Sequence, residues 1–203
     1  EIPIMDGSAL QFVRGFSDTG LIEQAAPVRA IKILESVEVS ENGASAILEP
    51  ASGLEIEFAI DFPDAAIGQQ SKALNLANGS FVHELCDSRT FCSKDDVVTM
   101  RSNGLALGGT LLNAVVVEGA DVLSPGGMRY HDEPVRHKML DAVGDLALAG
   151  GPILGRYIGN RAGHTITNML LRRLFSQPGS FQMINCSPQT AKSLPGASVP
   201  LEI

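Results

Sequence analysis

The stretch Leu54-Glu55-Ile56-Glu57-Phe58-Ala59-Ile60-Asp61-Phe62 sets an apolar side chain at every second position. Successive side chains of a strand point to opposite faces, so this alternation predicts a strand with one face in a core and the other turned outward. Reading back from it, Pro50 to Gly53 is a turn, Ala44 to Leu48 a short strand, Ser40-Glu41-Asn42-Gly43 another turn, and Val28 to Val39 a partly alternating β-rich stretch. Three strands joined by tight turns predict an antiparallel meander. Reading forward, the period changes. Asp132 or Glu133-Pro134 opens the strongest helix of the chain, from Pro134 to about Ala149, with proline in the first turn and Gly150-Gly151 at its end.

Further elements follow from local signals. Ser8 can cap a helix over residues 9–16, closed by Asp18-Thr19-Gly20, and Gln24-Ala25-Ala26-Pro27 reads as a linker. Residues 80–85 form a short strand or helix, and 95–100 a short helix ended by Asn103-Gly104. Ala114 to Val117 is a buried strand, a second strand lies near Ile153 to Ile158, and a last helix runs from Thr165 to Phe175. From Gln177 onward the chain is rich in Pro, Ser and Gly and is expected to be irregular. The opening Glu1-Ile2-Pro3-Ile4-Met5-Asp6-Gly7 reads as a strand entering mid-domain, which suggests further sequence upstream.

Composition narrows the class. Of 203 residues, 44% are hydrophobic and 19% charged, the balance of a globular chain with a core. Three cysteines do not make a disulfide framework and point to a reducing compartment. No uninterrupted apolar run is long enough for a transmembrane helix. The net charge is −8 and no basic patch stands out, which argues against a nucleic-acid partner.

The residues that carry chemistry cluster late in the chain. His137 and Asp141 are four apart on the strong helix, so an imidazole and a carboxylate share one face, a spacing that suits two ligands of one zinc ion but that also recurs by chance on solvated, salt-bridged faces. Asp145 continues that face one turn later. His164, between Gly163 and Thr165, sits near a helix N-terminus as a general acid, a cap or a buried structural histidine. His83-Glu84 with Cys86 is a third, weaker cluster, and Cys92, Cys186 and His131 show no metal spacing.

Several segments together resemble the UDP-3-O-acyl-N-acetylglucosamine deacetylases, zinc amidases of lipid A synthesis. They are residues 1–9, Ile60-Asp61-Phe62, Ser88-Arg89-Thr90-Phe91, residues 101–109, the run 135–146 around His137-Lys138-Met139-Leu140-Asp141, and Gly163-His164 with Asn168. The resemblance covers most of the chain up to about Phe175. It implies an α+β fold of two-layer sheet-and-helix sandwich domains: residues 1–26 as the end of a first domain, 27–176 as a second domain, and 177–203 as an irregular tail. It implies Zn2+ as cofactor, with His137 and Asp141 as two of three protein ligands, His164 as acid or oxyanion stabiliser, Asp145 as its orienting partner, and Thr90 beside the oxyanion. Lys138 and Phe91 would contact a UDP-linked acylated N-acetylglucosamine, and Leu105, Leu107 and Leu111 would line an acyl-chain passage. The implied third ligand and the general base form a Glu-His pair upstream of Glu1, so the remaining N-terminal part of the same protein is an expected partner. Where the family has His-Pro after the Ile-Asp-Phe strand, this chain has Pro63-Asp64-Ala65-Ala66. The implied reaction releases acetate and the free amine in the bacterial cytoplasm, or in an organelle for a plant copy. The competing expectations are a non-catalytic truncated paralogue that binds a partner, and a metal hydrolase with another substrate.

Overall fold

The computed structural model describes residues 2–195 apart from 21, 23 and 78. The chain runs through α1 (Leu10–Thr19), β1 (Arg29–Ile33), β2 (Val37–Glu41), β3 (Ala44–Pro50), β4 (Leu54–Asp61) and β5 (Gln69–Asn75). A single π-type turn (Phe81–Leu85) leads to β6 (Phe91–Ser93), α2 (Lys94–Ser102), β7 (Val115–Glu118) and β8 (Asp121–Val122). Then come α3 (Glu133–Leu146), β9 (Ile153–Asn160), α4 (His164–Ser176), β10 (Phe181–Asn185) and α5 (Pro188–Ala191). The protein is an α+β sandwich. Helices α3 and α4 pack on each other and on the main sheet, α3 across β4 and β5 and α4 across β2 and β3. Strands β6, β7 and β8 make a second, small sheet.

The alternation over residues 54–61 is realised in full. Leu54, Ile56, Phe58 and Ile60 are buried, while Glu57 and Asp61 face outward and pair with Arg156 and Arg161. With Ile31, Ile33, Leu48, Met139, Leu170 and Leu174 these side chains form the layer between sheet and helices. Each such burial contributes roughly 1.5–3 kcal/mol relative to exposure.

The expected meander is only half present. β2 and β3 form an antiparallel hairpin over Asn42 and Gly43, both at positive φ (51° and 81°), as an Asn-Gly turn requires. β3 and β4, however, do not pair with each other. β9 lies between them, antiparallel to β3 and parallel to β4, and its first residues also pair with β1. Alternation along one strand says which face is buried but not which strand lies alongside. Close packing around β9 favours this arrangement. A Cβ on Gly159 would stand 2.7 Å from the Phe58 ring, and one on Gly155 2.6 Å from Ile33, so both residues make room for neighbours. Between them Tyr157 is fully buried and its hydroxyl meets Thr167 Oγ1 at 3.0 Å, tying β9 to α4.

Two further expectations are corrected. The segment after Gln177 is not irregular throughout: β10 joins the main sheet antiparallel to β1, and α5 is capped by Ser187 Oγ, which accepts from the Thr190 N–H at 3.1 Å. Along β10 only Phe181 and Ile184 are half-buried and the rest is exposed, so the segment carries no two-residue period to read. Residues 2–4, read as a strand, belong to no strand, and α1 buries none of its residues. Phe16 on α1 is 69% exposed. Helix α3 begins at Glu133 and its regular part closes at Leu146. A 3₁₀ turn over Ala147–Ala149 and left-handed Gly150 complete it, close to the predicted span.

Candidate active site

Helix α3 carries the acidic and imidazole groups, and the loop before β6 holds them in place. Pro134 opens the first turn, where its missing N–H is not needed, and Val135, Met139, Ala142 and Leu146 turn inward. That leaves His137, Lys138, Asp141 and Asp145 along the edges of the buried stripe. His137 Nδ1–H donates to the Ser88 carbonyl at 3.0 Å, so its Nε2 is the nitrogen that faces Asp141 Oδ1, at 3.3 Å. Lys138 Nζ donates to the other oxygen, Asp141 Oδ2, at 2.7 Å. Burial opposes the charge on Asp141, but His137 and Lys138 outweigh it and hold this carboxyl well below the usual carboxylate range.

One turn further on, Asp145 accepts from His164 Nδ1–H, with both carboxylate oxygens at 2.9 Å. His164 is the first residue of α4, and its side chain is 69% exposed while that of Asp145 is 18% exposed. Gly163, in an extended conformation, ends the loop from β9 and starts α4 beside α3. An open groove of about 400 Å³ runs along this edge, lined by Asp141, Asp145 and His164 on one side and by Ala9, Phe81 and Leu140 elsewhere. A somewhat larger groove, about 480 Å³, lies on the outer face of α4 between Leu148, Leu171, Arg172 and Phe175. It is lined by no carboxylate or imidazole, so the chemistry belongs to the smaller one.

The other expected residues lie at the start of β6 and on the segment after α2. Phe91 stands edge-on to His137, with ring centroids 6.3 Å apart, and edge-on to Phe62 at 5.2 Å. Thr90 is sewn in through its backbone: its N–H donates to the Gly7 carbonyl at 2.8 Å and its own carbonyl accepts from Val115 N–H at 2.7 Å. Leu105, Leu107 and Leu111 are exposed on the segment that follows α2, and none of them lines the groove. His83 and Cys86 join no metal cluster, and Glu84 instead pairs with Lys72 and Arg136.

Three participants are absent from a reading of motifs. Glu133 appears in sequence only as a helix opener, yet it is fully buried and bound to Arg89. Arg89 lies within the Ser-Arg-Thr-Phe segment, whose outward signal is Thr90 and Phe91. The Ser88 carbonyl is a backbone group and leaves no side-chain trace at all. Among the described residues no three His, Cys, Asp or Glu side chains converge as a metal site. His137 Nε2 and Asp141 Oδ1, however, converge as one nitrogen and one oxygen donor, with the second imidazole nitrogen committed to a carbonyl. That is the donor chemistry zinc takes from a protein, and it supplies two positions of its set.

Fold and site together define an α+β sandwich with a groove lined by Asp141, Asp145 and His164, and with His137 paired to Asp141 behind it. A family model described as UDP-3-O-acyl N-acetylglycosamine deacetylase matches residues 1–176, and the chain belongs to that family. It is 44% identical over 194 residues to the UDP-3-O-acyl-N-acetylglucosamine deacetylase of Phenylobacterium zucineum, covering 96% of this chain and 66% of that protein. Proteins of the same name from Psychrobacter arcticus and a Shewanella species are 44% and 43% identical, each over 91% of this chain. The chain spans 58–66% of the length of these three relatives.

Proposed function

We propose that the chain is the part of a zinc-dependent deacetylase that carries two metal ligands and the acid, acting on UDP-3-O-acyl-N-acetylglucosamine in lipid A biosynthesis. The observation that carries this reading is the pairing of His137 with Asp141 and of His164 with Asp145, one turn apart along α3, in a chain of this family. His137 and Asp141 hold the zinc. When bound, zinc supplies Lewis acidity toward the amide carbonyl and lowers the pKa of the attacking water. In this reading the third ligand and the general base belong to the Glu-His pair that the resemblance places ahead of Glu1.

The residues of this chain do the rest. Asp145 holds the Nδ1–H of His164 and leaves its Nε2 for the substrate side, a positioned acid that delivers a proton to the departing amine nitrogen as acetate leaves. Thr90 and His164 stabilise the charge that develops on the carbonyl oxygen. Lys138 and Phe91 contact the sugar nucleotide, and Leu105, Leu107 and Leu111 border the acyl chain. The acidic chain, in which no described helix is long and apolar enough to cross a membrane, fits the bacterial cytoplasm as its site of action.

Metal analysis combined with acetate release from the UDP-linked substrate tests the reading, using the chain together with its upstream segment. His137→Ala should abolish tight zinc binding. His164→Ala should keep zinc and lose about 10²–10⁴-fold in turnover. Zinc content unchanged in the first variant, or near-normal turnover in the second, refutes the corresponding role. Full zinc binding with no acetate release would favour a binding paralogue.

A further inference from the structure

Glu133 has no solvent exposure and stands one helical turn before His137 on α3. Its Oε1 accepts from the backbone N–H of Arg89 and from Arg89 Nε, both at 2.9 Å. Its Oε2 accepts from Arg89 Nη2 at 3.0 Å and from the backbone N–H of Arg129 at 2.6 Å. The N–H of Arg89 and the carbonyl of Ser88 are two ends of one peptide unit, and that carbonyl is the acceptor for His137 Nδ1–H at 3.0 Å. The hydrogen bonds therefore form a closed path: carboxylate, peptide, imidazole, and back along the helix from residue 137 to residue 133.

We infer that Glu133 is a positioning residue for His137, acting through the Ser88–Arg89 peptide to hold the ring with its Nδ1–H on the Ser88 carbonyl and its Nε2 turned toward Asp141. The inference rests on the reading of His137 as a zinc ligand and adds to it a carboxylate that never touches the metal. A negative charge hydrogen-bonded to a peptide N–H polarises that peptide and makes its carbonyl a stronger acceptor, a cooperative gain of order 10–30% per bond. Metal-bound histidines commonly give their second N–H to a carboxylate or a carbonyl, which fixes the tautomer. Here a carbonyl is used, with the carboxylate one peptide behind it. Stability alone is a weak reason for the arrangement, since buried ion pairs are often matched or exceeded by apolar residues of the same size. Placing one carboxylate oxygen on the very peptide that holds the imidazole serves the ring.

Imidazole ¹⁵N NMR of the 203-residue chain without metal tests the inference directly. The unaltered chain should show His137 protonated at Nδ1, with a slowly exchanging proton coupled across its hydrogen bond to the Ser88 carbonyl carbon. An Nδ1 without a proton, or no such coupling, overturns the inference without any variant. The double variant Glu133→Gln with Arg89→Met removes both charges and leaves neither stranded. In it the Nδ1–H resonance should move upfield and its coupling weaken, and Zn²⁺ alone, titrated against a chromophoric chelator, should bind about tenfold or more weakly. A folded double variant with the unaltered Nδ1–H signal overturns the inference, because a merely structural pair would change the melting temperature and nothing at the ring. If the unaltered chain shows the Nδ1–H signal but binds Zn²⁺ no better than His137→Ala, the zinc reading fails while the relay stands.

Discussion

At the start of α3, Glu133 is fully buried and accepts four hydrogen bonds. On the segment that begins with α2 the opposite holds: α2 buries none of its residues and Leu107 is 76% exposed. Both regions touch the same stretch of chain, since β6 begins two residues after Arg89 and leads straight into α2. The difference follows from what each buries. The buried Glu133 carboxylate keeps both of its oxygens hydrogen-bonded, because an unpaired buried charge is costly. The segment after α2 leaves Leu105, Leu107 and Leu112 exposed and carries no buried charge.

The contrast can be broken most forcefully at Glu133. Glu133→Ala strands the Arg89 guanidinium in the interior and should cost about 3–5 kcal/mol in urea unfolding. A loss below about 1 kcal/mol would make the buried region no more demanding than the exposed one. Acid should act on the same region reversibly. Burial opposes the charge on Glu133 and on Asp141, but their partners prevail, so both carboxyls lie below their ordinary values of 4.5 and 3.8 in the folded state. The stability they confer is therefore complete above those values and is lost as pH falls below them. Melting temperatures followed from pH 6 to pH 2 should drop, and Glu133→Gln should flatten that drop. A pH profile identical in the variant would remove Glu133 from the account.

Gly7 sharpens the comparison because it clasps both regions. It has a φ of +84°, its carbonyl holds Thr90, and a Cβ there would stand 2.1 Å from the Asn113 carbonyl oxygen. Gly7→Ala should cost about 1–3 kcal/mol, with the loss visible as faster amide exchange at Thr90 and near Asn113. Leu107→Ser is the smallest change. Stability should stay within about 0.5 kcal/mol of the unaltered chain, because the side chain packs on little. If the acyl-chain role holds, KM for a long-acyl substrate should rise while zinc content stays the same.

How much of this was legible beforehand differs residue by residue. His137, Asp141 and Asp145 share a helix, so their common edge follows from a 3.6-residue period, and the structure shows His137 facing Asp141 as that spacing requires. His164 lies on another element. Only the turn between β9 and α4 brings it within 2.9 Å of Asp145, and no local spacing encodes that approach. In the sheet, the buried face of β4 was readable from alternation. The insertion of β9 between β3 and β4 was not, nor was β10, whose two half-buried residues leave no period.

By itself, then, the sequence determined what short-range signals can carry: the inward face of β4, the span of α3, the Asn42-Gly43 turn, and the row of imidazole and carboxylates along one helix. The tertiary structure alone decided strand order, the meeting of His164 with Asp145, and the path from Glu133 through the Ser88–Arg89 peptide to His137. The last of these depends on partners 44 and 49 positions apart and on backbone groups that every residue type shares, so side-chain identity leaves no trace of it until the chain is folded.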